Sequence, residues 1–276
     1  MPKAGKQTEE KVVYQGELKI LKDKTQSLLD EASAMENEMK ENDDDFNSYR
    51  RIALGFTYLE IVEHYCRQND LSVQLLKKVN ETNLGDARKY YVKALQEFEE
   101  VWTKWVDPDQ DEIKEKLALV DRFTPPRQLV LLYRLRDRLT RLREAYGEQS
   151  KWRWAFVEME ARAAIILKNG IDFRSAYKND PRMAYFEERT TLIHNIQELL
   201  DQAAKLYREK YMVSTKEIDD MRKAIELMDA LRRIHSFLGN PDQTEKCKKT
   251  REAWKSFLEK EIKNLEKQKA ARKRKK

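Results

Sequence analysis

Seven glycines and six prolines in 276 residues constrain this chain more than any other feature. Sheet proteins reverse often, and their tight turns draw on Gly and Pro, as phosphate-cradling loops draw on Gly. A chain this poor in both is expected to be helical. The apolar spacing agrees. Phe46, Tyr49, Ile52, Ala53, Phe56, Leu59, Val62 and Cys66 step by three or four and form one helical face. Ala87, Tyr91, Ala94, Leu95, Phe98, Trp102 and Trp105 form a second face over 86–106, and Leu129, Leu132, Leu135, Leu139, Leu142 and Tyr146 a third. Charged residues make up 38% of the chain and hydrophobic ones 40%, so the faces are narrow. Narrow faces favour an elongated shape over a sphere.

Punctuation places the breaks. Gln68-Asn69-Asp70 is expected to end the 46–66 helix, with a short helix over 71–80 following. Thr124-Pro125-Pro126, Asp180-Pro181 and Asn240-Pro241 read as helix starts, and Asn169-Gly170 and Gly239 as stops. Ser214 to Glu217 matches a capping box. The expectation is an all-α fold of about nine helices without strands, an elongated array of antiparallel hairpins bent near 107–125 or 170–180. Its parts are an N-terminal helical arm over 1–45, a hairpin core over 46–168, further hairpins over 169–266 and a basic tail over 267–276.

Helical hairpins at this spacing invite comparison with repeat proteins. Ala87, Tyr91 and Ala94 stand as in the second helix of a tetratricopeptide repeat, and Gly239-Asn240-Pro241-Asp242 resembles its inter-helix turn. Thr244, Lys248 and Arg251 stand where that repeat carries small and apolar residues. The resemblance implies a helical-hairpin adaptor that grips a peptide. In general character, with long Lys/Glu-rich helices, aromatic anchors and few Gly, the chain also resembles the helical sheath and coiling proteins of spirochaete flagella. That likeness implies assembly onto a filament.

Catalytic signatures are missing from the sequence. There is no Gly-x-Gly-x-x-Gly, no Gly-x4-Gly-Lys-Ser/Thr and no Gly-x-Ser-x-Gly. The three histidines, His64, His194 and His235, lie on or beside helix faces. His64 and Cys66 are two apart and face different ways on a helix. Cys66 and Cys247 make neither a disulfide framework nor a zinc spacing. Glu60 and His64 lack the Glu-x-x-His spacing of di-iron bundles. No enzyme activity, cofactor or metal is therefore expected. Trp152 and Trp154 read as core plus edge. Arg134, Arg136, Arg138, Arg141 and Arg143 read as a solvated helix surface with Asp137 and Glu144 as local partners, or else as a contact for an acidic partner.

One charge signal is sharp. Residues 242–276 hold 14 Lys/Arg against six Asp/Glu, while the first 241 residues carry 41 against 43. The net charge of +6 thus belongs to the last stretch. Lys267, Lys269, Arg272, Lys273, Arg274, Lys275 and Lys276 are the candidate contacts for an anionic partner, without an acidic residue among them. No run of apolar residues is long enough for a transmembrane helix, and no apolar leader opens the chain. A cytoplasmic location is expected, or a periplasmic one if a leader has been removed. The expected function is that of a non-catalytic structural or assembly protein with protein partners, through self-assembly or on a filament. The alternatives are a nucleic-acid-associated protein using the basic tail and a tetratricopeptide-like adaptor.

Overall fold

The computed structural model describes residues 3–42, 44–147, 149–173 and 180–273, with side chains over 12–267 except Gln110. Among these residues it is all-α, with nine helices and no strand. The helices are α1 (Lys3–Glu41), α2 (Asn47–Leu76), α3 (Glu81–Trp102), α4 (Gln110–Ala118), α5 (Pro125–Tyr146), α6 (Arg153–Asn169), α7 (Phe186–Lys210), α8 (Ile218–Phe237) and α9 (Pro241–Lys273). The chain divides into two compact units. Unit 1 is Met1–Lys104 with Gln110–Gly170; unit 2 is Trp105–Asp109 with Ile171–Lys276.

In unit 1, α2 is the central helix and packs on α1, α3 and α5, while α3 also meets α5 and α6. Leu54, Leu59, Ile61 and Val62 of α2 meet Leu84, Leu95 and Phe98 of α3 in a fully buried core. Each such side chain contributes about 1.5–3 kcal/mol on burial. Gly55 lets α2 and α3 approach closely: a Cβ there would stand 2.5 Å from the Phe98 ring. Two polar contacts set the antiparallel register of α1 on α2. The Gln68 amide donates to Thr25 Oγ1 at 3.0 Å, and the Tyr58 hydroxyl donates to Glu36. The segment read from sequence as an arm therefore packs along α2 over this length.

Several expected breaks fall elsewhere. α2 runs through Gln68-Asn69-Asp70 to Leu76, because the first two side chains find partners without disturbing the helix. Gln68 reaches Thr25, and Asn69 Oδ1 accepts the Asn80 N–H at 2.9 Å. α2 ends at Lys77, which is left-handed (φ 57°), and α3 starts four residues later with Asn80 as its cap, accepting from the Asn83 N–H. At its other end α3 stops at Trp102, since Thr103 takes φ 83°. Trp105 thereby leaves the apolar face that it was expected to share with Trp102. Trp102 is buried, while Trp105 is 61% exposed.

In unit 2, α8 packs against both α7 and α9. Leu192, Ile196, Leu200 and Ala203 of α7 face Met221, Leu227, Met228 and Ile234 of α8, all buried. α7 begins at Phe186 rather than at Pro181; residues 181–185 form turns, and Tyr185 before the helix is left-handed (φ 61°). The expected capping box is absent. Tyr211–Thr215 form a π-helical turn instead, and Glu217 caps α8 through its backbone alone. Asp107 joins this unit through an ion pair with Arg233 at 2.6 Å.

Candidate interaction surfaces

Of the five α5 arginines singled out, Arg136 is exposed as expected, but Arg134, Arg138, Arg141 and Arg143 are partly buried in ion pairs with other helices. α5 follows its Pro-Pro start and buries Leu131, Leu132, Leu135, Leu139 and Leu142, which turns Arg134, Arg138 and Arg141 onto α2. Arg134 pairs with Glu60. Arg138 meets Glu63 at 2.9 Å and Asp137, and Arg141 meets Glu63 and, at 2.6 Å, Asp70. Arg143 pairs with Glu160 of α6. Glu63 is the hub, with a side chain only 6% exposed and a further contact from Arg67 at 2.6 Å. Burial pushes its carboxyl pKa up. Hydrogen bonds from Arg141 and Arg67 and the charge of Arg138 outweigh burial, so the pKa lies below the ordinary value. Asp137 is a partner as the sequence suggests, but the main partners come from α2, which helical spacing within α5 does not reveal.

Beside this spine lies a groove of about 640 Å3. Asn69, Asp70, Val73 and Gln74 of α2, Val79 of the link and Arg141, Glu144 and Ala145 of α5 line it. The left-handed turn at Lys77 opens it, and the Ser72 hydroxyl fixes the link by donating to the Lys78 carbonyl at 2.8 Å. Val73 and Val79 are exposed there, and Leu76 is exposed at the end of the same helix. Apolar side chains next to a rigid, charged ledge make a surface suited to a protein partner. The sequence reads as a stop at Gln68-Asn69-Asp70 and a separate short helix over 71–80, whereas α2 runs on to Leu76, so no sequence signal points here.

Of the cysteine and histidines singled out in the sequence, Cys66, His64 and His235 are packed within the fold, while His194 is exposed and lies 3.2 Å from Glu198. Cys66 is buried, and burial pushes its thiol up to about 12. Burial also lowers the pKa of His64, with Arg67 and Lys24 adding to the effect. His235 is lowered by burial too, and its Nδ1 lies 3.4 Å from the Gln197 amide. Trp152 takes the Arg88 guanidinium over its ring at 3.5 Å and packs edge-on to Tyr146. Trp154 carries Arg153 at 4.7 Å. Among the described residues, no group of three or more His, Cys, Asp or Glu is placed to hold a metal ion.

Of the seven candidate basic contacts, Lys267 is exposed at the end of the described side chains. The backbone of Lys269, Arg272 and Lys273 continues α9, their side chains lying outside the described residues, as Arg274, Lys275 and Lys276 do entirely. Among the described residues no helix is long and apolar enough to cross a membrane.

No curated protein matches the chain. Among solved structures, one described as "Computational Design of Self-Assembling Cyclic Protein Homooligomers" is similar over 94% of this chain and 99% of that chain, at 14% identity, and superposes poorly, with a TM-score of 0.27. The family model of the TP0443 family matches residues 10–262. This covers most of both units, and the chain belongs to the TP0443 family.

Proposed function

We infer that the protein is a non-catalytic structural or assembly protein that works through its helix surfaces. The observation that carries this reading is the groove at the end of α2, where Val73 and Val79 stand exposed beside the Asp70–Arg141 pair. Exposed aliphatics on a rigid ledge suit a contact that buries them, with the ion pair at its polar rim. Cys66 and His64 are packed within the fold, and Glu63 is taken up by Arg67, Arg138 and Arg141. The family is of Treponema type, in keeping with the spirochaete resemblance.

Sedimentation velocity over a wide concentration range tests this reading. The expected result is a mass that climbs above 33.0 kDa with concentration, and that returns to the single-chain value in a Val73→Asp/Val79→Asp variant. A single-chain mass at every concentration removes the self-assembly form of the reading. Turnover of any substrate, abolished by a point substitution, overturns the non-catalytic form.

A further inference from the structure

The groove at the end of α2 carries both signs of charge on fixed backbone. One side is α2 with the link that follows it. Lys78 of the link is exposed. Its backbone is held twice by Ser72: the N–H donates to the Ser72 carbonyl at 3.5 Å, and the carbonyl accepts the Ser72 hydroxyl at 2.8 Å. Lys77 beside it donates through Nζ to the Gln74 carbonyl at 2.9 Å. The other side is α5, whose Glu144 lines the groove and is exposed. Arg141, one turn before Glu144, is taken by Asp70 and Glu63. Among the described residues neither Lys78 nor Glu144 forms an ion pair.

Val73 and Val79, which line the same groove, are 40% and 53% exposed. Glu81 opens α3 and is near enough to Tyr146, the last residue of α5, to raise the pKa of its phenol. The rim thus sets Lys77 and Lys78 against Glu81 and Glu144, all exposed, with no excess of either sign. That balance argues against a strongly charged partner, since a polyanion or an acidic segment is matched by a rim of one sign. A free cation on the link and a free carboxylate on α5, with aliphatic side chains in the groove they border, make a surface complementary to itself.

We propose that the groove is filled by the same groove of a second copy, in a closed two-fold dimer. The proposal rests on the self-assembly reading and gives it a partner and a stoichiometry. A two-fold contact is reciprocal, so residue i meets j and j meets i. Lys78 of each copy meets Glu144 of the other, and Val73 and Val79 pack on their counterparts. Walls already fixed by Ser72 and by the Asp70–Arg141 pair leave little to order on contact.

Sedimentation velocity of the full chain and of charge-reversed variants tests the proposal. The expected wild-type result is a mass that rises from 33.0 kDa to that of two chains and goes no further. Lys78→Glu and Glu144→Lys are each expected to weaken the dimer at least about tenfold with unchanged melting, because reciprocity makes every reversal count twice. An equal mixture of the two variants is expected to dimerise again, since both opposite-charge contacts return. Lys78→Glu/Glu144→Lys in one chain is expected to do the same, which a misfolded variant cannot. A mass that climbs past two chains overturns the two-fold dimer and leaves the self-assembly reading standing. A single-chain mass at every concentration overturns both. A dimer that the reversals leave intact, or that mixing fails to restore, lies on another surface and overturns the proposal alone.

Discussion

Glu63 sits against Arg67, Arg138 and Arg141 with almost no access to water, so it has more to lose than an exposed carboxylate. Glu63→Ala is expected to cost about 3 kcal/mol, the low end for breaking a buried pair, because Arg138 keeps Glu60 and Arg141 keeps Asp70. Urea denaturation measures it, and a loss below that of a surface pair would show the network to be solvated. Gly55 is the second sensitive residue. The Phe98 ring that a methyl group would meet is itself held edge-on by Phe56 and stacked on Trp102. Gly55→Ala is therefore expected to lower stability by about 1–3 kcal/mol through overpacking, against the gain in helix propensity; thermal melting decides. His64 and His235 give a pH signature. Burial lowers both from 6.5, so the unfolded chain takes up these protons at a higher pH than the folded one. Their contribution is complete above about 6.5 and is lost as the pH falls through the lower folded values. Urea midpoints should drop between pH 7 and 5, and His64→Gln/His235→Gln should flatten that slope.

Helix ends show how elements depend on one another. Asn80 caps α3 with its side chain, while its own N–H is taken by Asn69 of α2. The two ends are thereby tied, and the link between them can be short enough to leave the groove open. Asn80→Ala is expected to cost about 1 kcal/mol, read as a fall in the denaturation midpoint with an unchanged slope. The π turn is the counterpart in unit 2. Ser214 to Glu217 carries the letters of a capping box, yet the Thr215 hydroxyl bonds Asp220 and accepts the Glu217 N–H at 3.3 Å. A local motif lost to a buried partner five residues on. The same contest explains α2, where Gln68-Asn69-Asp70 looks like a stop until Thr25 and Asn80 are in place to receive two of the side chains.

For the whole molecule, charge is the property most unevenly spread. The seven basic residues of 267–276 exceed the net charge of +6. Replacing all seven by Gln leaves a net −1, and retention on a cation exchanger at pH 7 is expected to vanish while the helical signal persists. Retention of the variant would reveal a basic patch elsewhere on the surface. The sequence by itself determined the helical class, the buried faces of α3 as far as Trp102 and of α5, and this charge asymmetry; of the face read for α2 it placed Ile52, Leu59, Val62 and Cys66 correctly, while Phe46 and Ala53 are exposed and Leu54, Tyr58 and Ile61 are buried instead. Gly and Pro content, apolar period and composition are local quantities, and they act wherever the chain lies. Tertiary structure alone decided that α2 runs to Leu76 and that Trp105 leaves the core. It alone paired the α5 arginines with Glu60, Glu63, Asp70 and Glu160. Each of these depends on a partner distant along the chain or on a backbone conformation set by packing, and helical spacing carries no record of which face meets which.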